Sequence, residues 1–164
     1  MEGKKRQEIL RLLEENARYT VKDLSAMLGL ETEEVKQEIA DLERGGVICG
    51  YHALVNWDKT DDEKISALIE LKVTPQRGDG YERIAEKIYQ YPEVESLYLM
   101  SGGYDFTVIL KKATMKEIAS FVSSRLAVIE EVQSTTTHVV LARYKDHGIQ
   151  LAENRKDMRM VVTP

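Results

Sequence analysis

Five consecutive residues, Ser101-Gly102-Gly103-Tyr104-Asp105, combine types that could hold a small zwitterion. Paired glycines let a backbone approach a ligand closely and present N–H donors, which suit a carboxylate. Asp105 could receive an ammonium group, and Tyr104 could wall an apolar side chain. Together these match the two ends and the body of an α-amino acid. Thr135 and Thr137 lie two apart, hence on one face of a strand, and could add hydroxyls. The same five residues also suit a tight hairpin, with Gly102-Gly103 at positive φ and Asp105 capping the turn. Both readings stand at this level.

Elsewhere the chemistry-bearing residues are sparse. His52, His138 and His147 are scattered without an i, i+4 pair, so no metal site is expected. The single cysteine, Cys49, cannot close an internal disulfide, which fits a reducing cytoplasm; flanked by Ile48 and Gly50, it reads as a small buried hydrophobe. No Ser/His/Asp set, phosphate loop or dinucleotide fingerprint is present, so no catalytic residues are assigned and no cofactor is called for. No apolar run approaches the roughly 20 residues that span a bilayer, and membrane association is not expected.

Two different periodicities must position the loop. Over residues 4–16, Ile9, Leu10, Leu12 and Leu13 fall on one side of a helix. Thr20 is an N-cap type with Asp23 three residues on, Val21, Leu24 and Leu28 form the next stripe, and Gly29 stops it. A third helix runs from about Thr32 to Arg44 on Val35, Ile39 and Leu42, ended by Gly45-Gly46. Two helices joined by a short glycine turn match the helix-turn-helix signature. The following VICGYHALVN supplies two apolar runs around Gly50, expected as a hairpin or wing.

From Ile65 the rhythm becomes two. Ile65, Ala67, Ile69, Leu71 and Val73 alternate with more polar neighbours, predicting a strand. A turn over 75–80, a capping box at Asp79 and Glu82, and a helix burying Tyr81, Ile84, Ala85 and Ile88 follow. Strands over 94–100 and 105–110 flank the glycine loop. Thr114 and Glu117 cap a helix expected to bury Met115, Ile118, Ala119 and Val122, and residues 132–142 make the last strand. The order β-α-β-β-α-β is the split βαβ of ferredoxin-like folds. Leu97 and Leu99 beside Tyr98 and Met100, and Val108 and Leu110 beside Ile109, make the sheet apolar on both faces. Two helices cover only one, so a second copy of the chain is expected on the other. The domains read as 1–56, a polar linker at 57–64, 65–142, and a tail at 143–164 that could add an edge strand.

The residues DLSAMLGL, then Val35, Ile39 and Leu42-Glu43, then GGVICGYHALVN, and later ELKVTP, SGGYDF and TTTHVVLARYK, resemble the Lrp/AsnC family of transcription regulators over about residues 4–145. The resemblance implies an α+β chain: an N-terminal winged helix-turn-helix and a C-terminal βαββαβ ferredoxin-like (RAM-type) domain. It implies a cytoplasmic homodimer, often assembled into octamers, that binds double-stranded DNA and is modulated by an amino acid or related metabolite. Effectors in the family use loop and strand positions matching Gly102, Gly103, Tyr104, Asp105, Thr135 and Thr137. The helix from Thr32 would enter the major groove, with Glu33, Glu34, Lys36, Gln37, Asp41 and Arg44 outward and Lys36 and Gln37 reaching bases or phosphates. Lys22, at the start of the preceding helix, would approach the backbone, as would Lys4, Lys5 and Arg6.

Two departures weigh against DNA binding. Glu38 stands where the family usually has arginine, and Glu31 where it usually has serine. The net charge is −5, and residues 31–44 carry six acids against two bases, beside a polymer with one negative charge per ~1.7 Å. A metabolite-sensing oligomer with weak or lost DNA binding is therefore the alternative. An enzyme on the same sheet would need a catalytic cluster, and the sequence offers none.

Overall fold

The computed structural model describes residues 3–61, 63–75 and 80–151. The chain divides after Val55 into two units.

In the first unit, helices α1 (Gly3–Glu15), α2 (Val21–Leu28) and α3 (Thr32–Arg44) enclose a core of Ile9, Leu13, Leu24, Leu30, Val35 and Leu42. The caps are those the sequence specifies. Thr20 Oγ1 accepts from the Asp23 N–H at 3.2 Å, and Asp23 Oδ2 accepts from the Thr20 N–H at 2.8 Å. Gly29 ends α2 in the left-handed region at φ 62°, where a side chain would be strained. Only Gly29, Leu30 and Glu31 separate α2 from α3, so the two helices turn sharply. Thr20→Ala removes a donor-satisfying cap and should lower the unfolding free energy by about 1 kcal/mol, read by denaturant titration.

The expected wing does not form: no strand is assigned between Val47 and Val55. Its first amides are already used, Val47 N–H and Ile48 N–H both donating to Leu42 O at 2.9 and 3.1 Å. The Tyr51 hydroxyl donates to Glu43 at 2.9 Å, tying the segment back to α3. Cys49, expected buried, is exposed, with its thiol donating to Gly46 O.

In the second unit a 3₁₀ turn (Trp57–Lys59) precedes β1 (Ile65–Val73), α4 (Glu82–Tyr89), β2 (Val94–Leu99), β3 (Phe106–Ala113), α5 (Met115–Phe121), a π turn (Val122–Leu126) and β4 (Val132–Val139). Residues 57–64, read as a linker, therefore begin with an ordered turn, and Lys112 stacks over Trp57 at 5.6 Å. The sheet order is β2-β3-β1-β4, antiparallel throughout. Ala67, Ile69, Leu71, Phe106, Val108 and Leu110 face the helices and pack on Ile84, Ile88, Ile118, Phe121 and Leu126. Inside this layer Glu131 is buried beside Lys87 at 2.7 Å, whose ammonium holds the carboxyl below the ordinary range.

Helix α5 differs from expectation. Ile118 is buried, but Met115 and Ala119 are exposed and Phe121 takes the core position instead. Ile118 and Phe121 share the inward side at i, i+3, and the π turn, in which Ala127 N–H reaches back five residues to Val122 O, then brings Leu126 to the same side. The last strand ends at Val139 rather than 142. A separate hairpin, β5 (Lys145–Asp146) with β6 (Ile149–Gln150), follows; the rest of the expected edge strand, and the cap at Asp79, lie outside the described residues. Tyr81 is the N-cap residue of α4, without a side-chain bond.

The other face of the sheet carries Leu68, Glu70 and Lys72 of β1, Thr107 and Ile109 of β3, Tyr98 of β2 and Ser134, Thr136 and His138 of β4. Register places them in rows: Ser96, Ile109, Leu68 and His138; then Tyr98, Thr107, Glu70 and Thr136. No helix covers this face among the described residues. Tyr98 is 51 % exposed, and Leu99, the last residue of β2, and Met100 just beyond it are 57 % and 48 % exposed.

Candidate functional site

The loop 101–105 joins β2 to β3, and its ends are bonded by Met100 N–H to Asp105 O at 2.8 Å. Gly102 sits at φ 140°, a conformation open to glycine alone, whereas Gly103 has an ordinary φ. So the hairpin needs glycine at 102 for conformation, while a Cβ at 103 would meet nothing within 4 Å.

Asp105 is held firmly. Its Oδ2 accepts the Val73 N–H at 2.9 Å, its own N–H donates to Leu71 O, and Lys72 Nζ lies 3.4 Å away. The Val73 amide, more than Lys72 and Tyr81, keeps the carboxyl below the usual aspartate range against the opposing effect of burial. Oδ1 has only long contacts, 3.5 Å to both Lys72 Nζ and Tyr81 OH, so it is the oxygen with spare accepting capacity.

Tyr104 lies across the open face. Its hydroxyl donates to Glu70, and that hydrogen bond, with the carboxylate's charge, raises the phenol above its ordinary value. Glu70 also meets His138 Nε2 at 2.9 Å. This Tyr104–Glu70–His138 cluster was not legible in the sequence: Glu70 and His138 are 68 residues apart, and only the β1–β4 pairing brings them together.

Thr135 and Thr137 pair with Leu71 and Ile69, so they lie on the helix-facing side of an edge strand. Tyr104 is on the opposite face, and β4 is two strand spacings from β3, roughly 10 Å. Within one chain the structure brings Gly102, Gly103, Tyr104 and Asp105 together and leaves the two threonines apart.

On the first unit, Thr32, Glu33, Lys36, Gln37 and Arg44 are all exposed on α3, and Lys22 is exposed in the first turn of α2. Lys36, Gln37 and Arg44 each have a neighbour on their own helix: Lys36 meets Glu33 at 3.3 Å, Gln37 donates to Asp41 at 3.1 Å, and Arg44 meets Asp41 at 2.7 Å. Glu38, the departure from family habit, does not face outward. It is 11 % exposed and pairs with Arg6 of α1 at 3.3 Å. One of the six acids is thereby withdrawn from the reading face, and Glu43 is engaged by Tyr51.

No helix of the described residues is long and apolar enough to cross a membrane. The architecture and the two surfaces agree with the comparisons to known proteins. A model of the AsnC-type helix-turn-helix domain matches residues 7–43, and one of the Lrp/AsnC ligand binding domain matches residues 66–150. The chain is 44% identical to the HTH-type transcriptional regulator YugG of Bacillus subtilis, over 98% of this chain and 97% of that one. Among solved structures, an AsnC family transcriptional regulator from Agrobacterium tumefaciens aligns with TM-score 0.69 at 25% identity, covering 89% of this chain and 94% of that one. A transcriptional regulator from Neisseria meningitidis, solved as an L-Met complex, aligns with TM-score 0.70 at the same identity and coverage. With a helix-turn-helix unit followed by an effector-type αβ unit along nearly its whole length, this chain belongs to the Lrp/AsnC family of transcriptional regulators and not to a family of enzymes.

Proposed function

We propose that this regulator binds double-stranded DNA as a homodimer built through the uncovered sheet face, and that an amino acid at loop 101–105 changes its assembly or DNA affinity. The observation that carries the reading is the exposed face of α3 behind a tight Gly29 turn, with Lys22, Lys36, Gln37 and Arg44 available to phosphates and base edges. Residues 1–56 supply the reading head and 65–142 the dimer and effector unit. Gly102 and Gly103 would meet the effector carboxylate, Asp105 Oδ1 its ammonium and Tyr104 its side chain. Thr135 and Thr137 would join only from another copy, which makes the site sensitive to assembly; dimers would in turn associate into larger rings such as octamers. An effector shifts such an equilibrium only by its difference in affinity for the two states. Fluorescence anisotropy of labelled genomic fragments, with and without L-methionine and other amino acids, tests the reading. Binding that changes at least several-fold with one amino acid supports it; binding indifferent to the whole set removes the effector half.

The acids of α3 favour a second reading, a sensor that no longer grips DNA. The geometry turns this into a graded effect, because Glu33 and Asp41 compete with phosphates for Lys36, Gln37 and Arg44. Glu33→Gln with Asp41→Asn should tighten DNA binding about tenfold, since exposed pairs are weak but each removed carboxylate also lifts a repulsion. Unchanged or absent binding in that variant favours the second reading.

A further inference from the structure

A second concave site lies at the far end of β3 from the effector loop. A cavity of about 640 Å³ opens between the β3 segment Leu110–Ala113, Pro92-Glu93, and the α5–π-turn segment. Its floor is apolar, made by the buried Leu110, Ile118 and Phe121. Its rim is cationic: Lys111 and Lys112 from the strand, Lys116 from the helix and Arg125 from the π turn. Among the described residues none of these four cations has a carboxylate partner in an ion pair. Two are instead held over aromatic rings, Lys112 over Trp57 at 5.6 Å and Arg125 over Tyr91 at 5.7 Å, which fixes them beside the opening. Glu117, one of two acids at the rim, is engaged by the N–H and hydroxyl of Thr114, each at 2.8 Å.

Two features make this more than a solvated basic patch. The protein as a whole carries net charge −5, so four cations against the two acids Glu93 and Glu117 around one hollow form a local positive potential against the trend of the chain. The wall that presents Arg125 and Ser124 is a π turn, a rare deformation that is frequent at functional sites. From Asp105 to Lys111 is six strand residues, roughly 20 Å, so this hollow is separate from the loop at 101–105.

We infer that this cavity is a second ligand site, for a small molecule with an apolar alkyl or aryl body and a single carboxylate. The apolar floor takes the body, and the four cations take the head. A zwitterionic amino acid is disfavoured here, because its ammonium would face the same cations. The site therefore selects a different class of metabolite from the effector loop.

The test uses the full-length protein and the anionic fluorophore 8-anilinonaphthalene-1-sulfonate. The wild type should bind it saturably, octanoate should displace it, and octylammonium and L-methionine should not. Lys116→Glu with Arg125→Glu should weaken the fluorophore and octanoate at least tenfold. Lys111→Glu with Lys112→Glu, on the opposite wall, should do the same, so a folding defect in one pair leaves the other to decide. Absence of saturable binding by the wild type, a weakening below tenfold in both folded variants, or equal displacement by octylammonium overturns the proposal. Neither DNA nor binding at loop 101–105 enters this readout, so its failure is distinguishable from failure of the regulator reading.

Discussion

Ile109→Glu should dissociate the regulator into monomers. Ile109 stands opposite Leu68 at the centre of the uncovered face, with Thr107 and Tyr98 in the adjoining row. In a face-to-face dimer that centre is sealed from water, and a carboxylate placed there is desolvated between the apolar Leu68 and the strand neighbours of Ile109. Burying an unpaired charge costs several kcal/mol, so the dimer dissociation constant should rise about a thousandfold, about 4 kcal/mol. Sedimentation velocity at micromolar protein reads the result directly. Ala119→Glu, on the exposed side of α5, is the matched control and should leave the mass unchanged. The monomer should also lose most of its DNA affinity, because two linked reading heads gain from effective concentration and separate heads do not. An Ile109→Glu protein with the wild-type mass would overturn the proposed dimer through this face.

The second large effect is expected at Asp105. Asp105→Ala removes the acceptor of the Val73 N–H and the charge that faces Lys72. The response to an amino-acid effector should disappear, with the half-effective concentration raised at least a hundredfold, about 2.7 kcal/mol, the range for losing a charge-assisted bond. Asp105→Asn separates the two roles. Its carbonyl still accepts from Val73, so the hairpin stands, but it offers no charge to an ammonium. Equal loss of response in both variants with a normal melting transition in Asp105→Asn assigns the effect to the ligand. A normal response in Asp105→Asn would instead make Asp105 a brace for the hairpin alone.

Asp105 also gives a pH signature. Its native pKa lies below the unfolded value, chiefly through the Val73 amide. Its contribution to stability is therefore complete above the ordinary aspartate value, about 3.9, and is lost as pH falls through the native one. Wild type should lose stability relative to Asp105→Asn only on acidification through that window. Chemical unfolding at neutral and acidic pH checks the sign.

Local signals in the sequence proved reliable where a single residue decides a backbone state. Thr20 with Asp23, Gly29, and Thr114 with Glu117 fix helix ends through bonds within a few residues, and all appear as read. Alternation over 65–73 similarly placed Ala67, Ile69, Leu71 and Val73 on the buried face. What escaped was set by distant partners or by irregular geometry. The pairings Arg6–Glu38 and Glu70–His138 depend on packing between remote segments. Met115 and Ala119 were misplaced because the short α5 buries only Ile118 and Phe121, and the burial of Leu126 depends on a π turn that a 3.6-residue period cannot register. The wing was misread because Leu42 O captures the amides that a ladder would need. At the effector loop the composition was informative, yet the faces were not: only the register separates Tyr104 from Thr135 and Thr137.

The central claim is that an acidic α3, with Glu38 turned inward onto Arg6, still grips DNA in pairs. The salt dependence of DNA binding tests it most directly. Lys22, Lys36 and Arg44 on two heads give about six phosphate contacts, so affinity should fall roughly a thousandfold between about 50 and 200 mM salt. No binding to any genomic fragment at about 50 mM salt, or an affinity that does not change with salt, would contradict it.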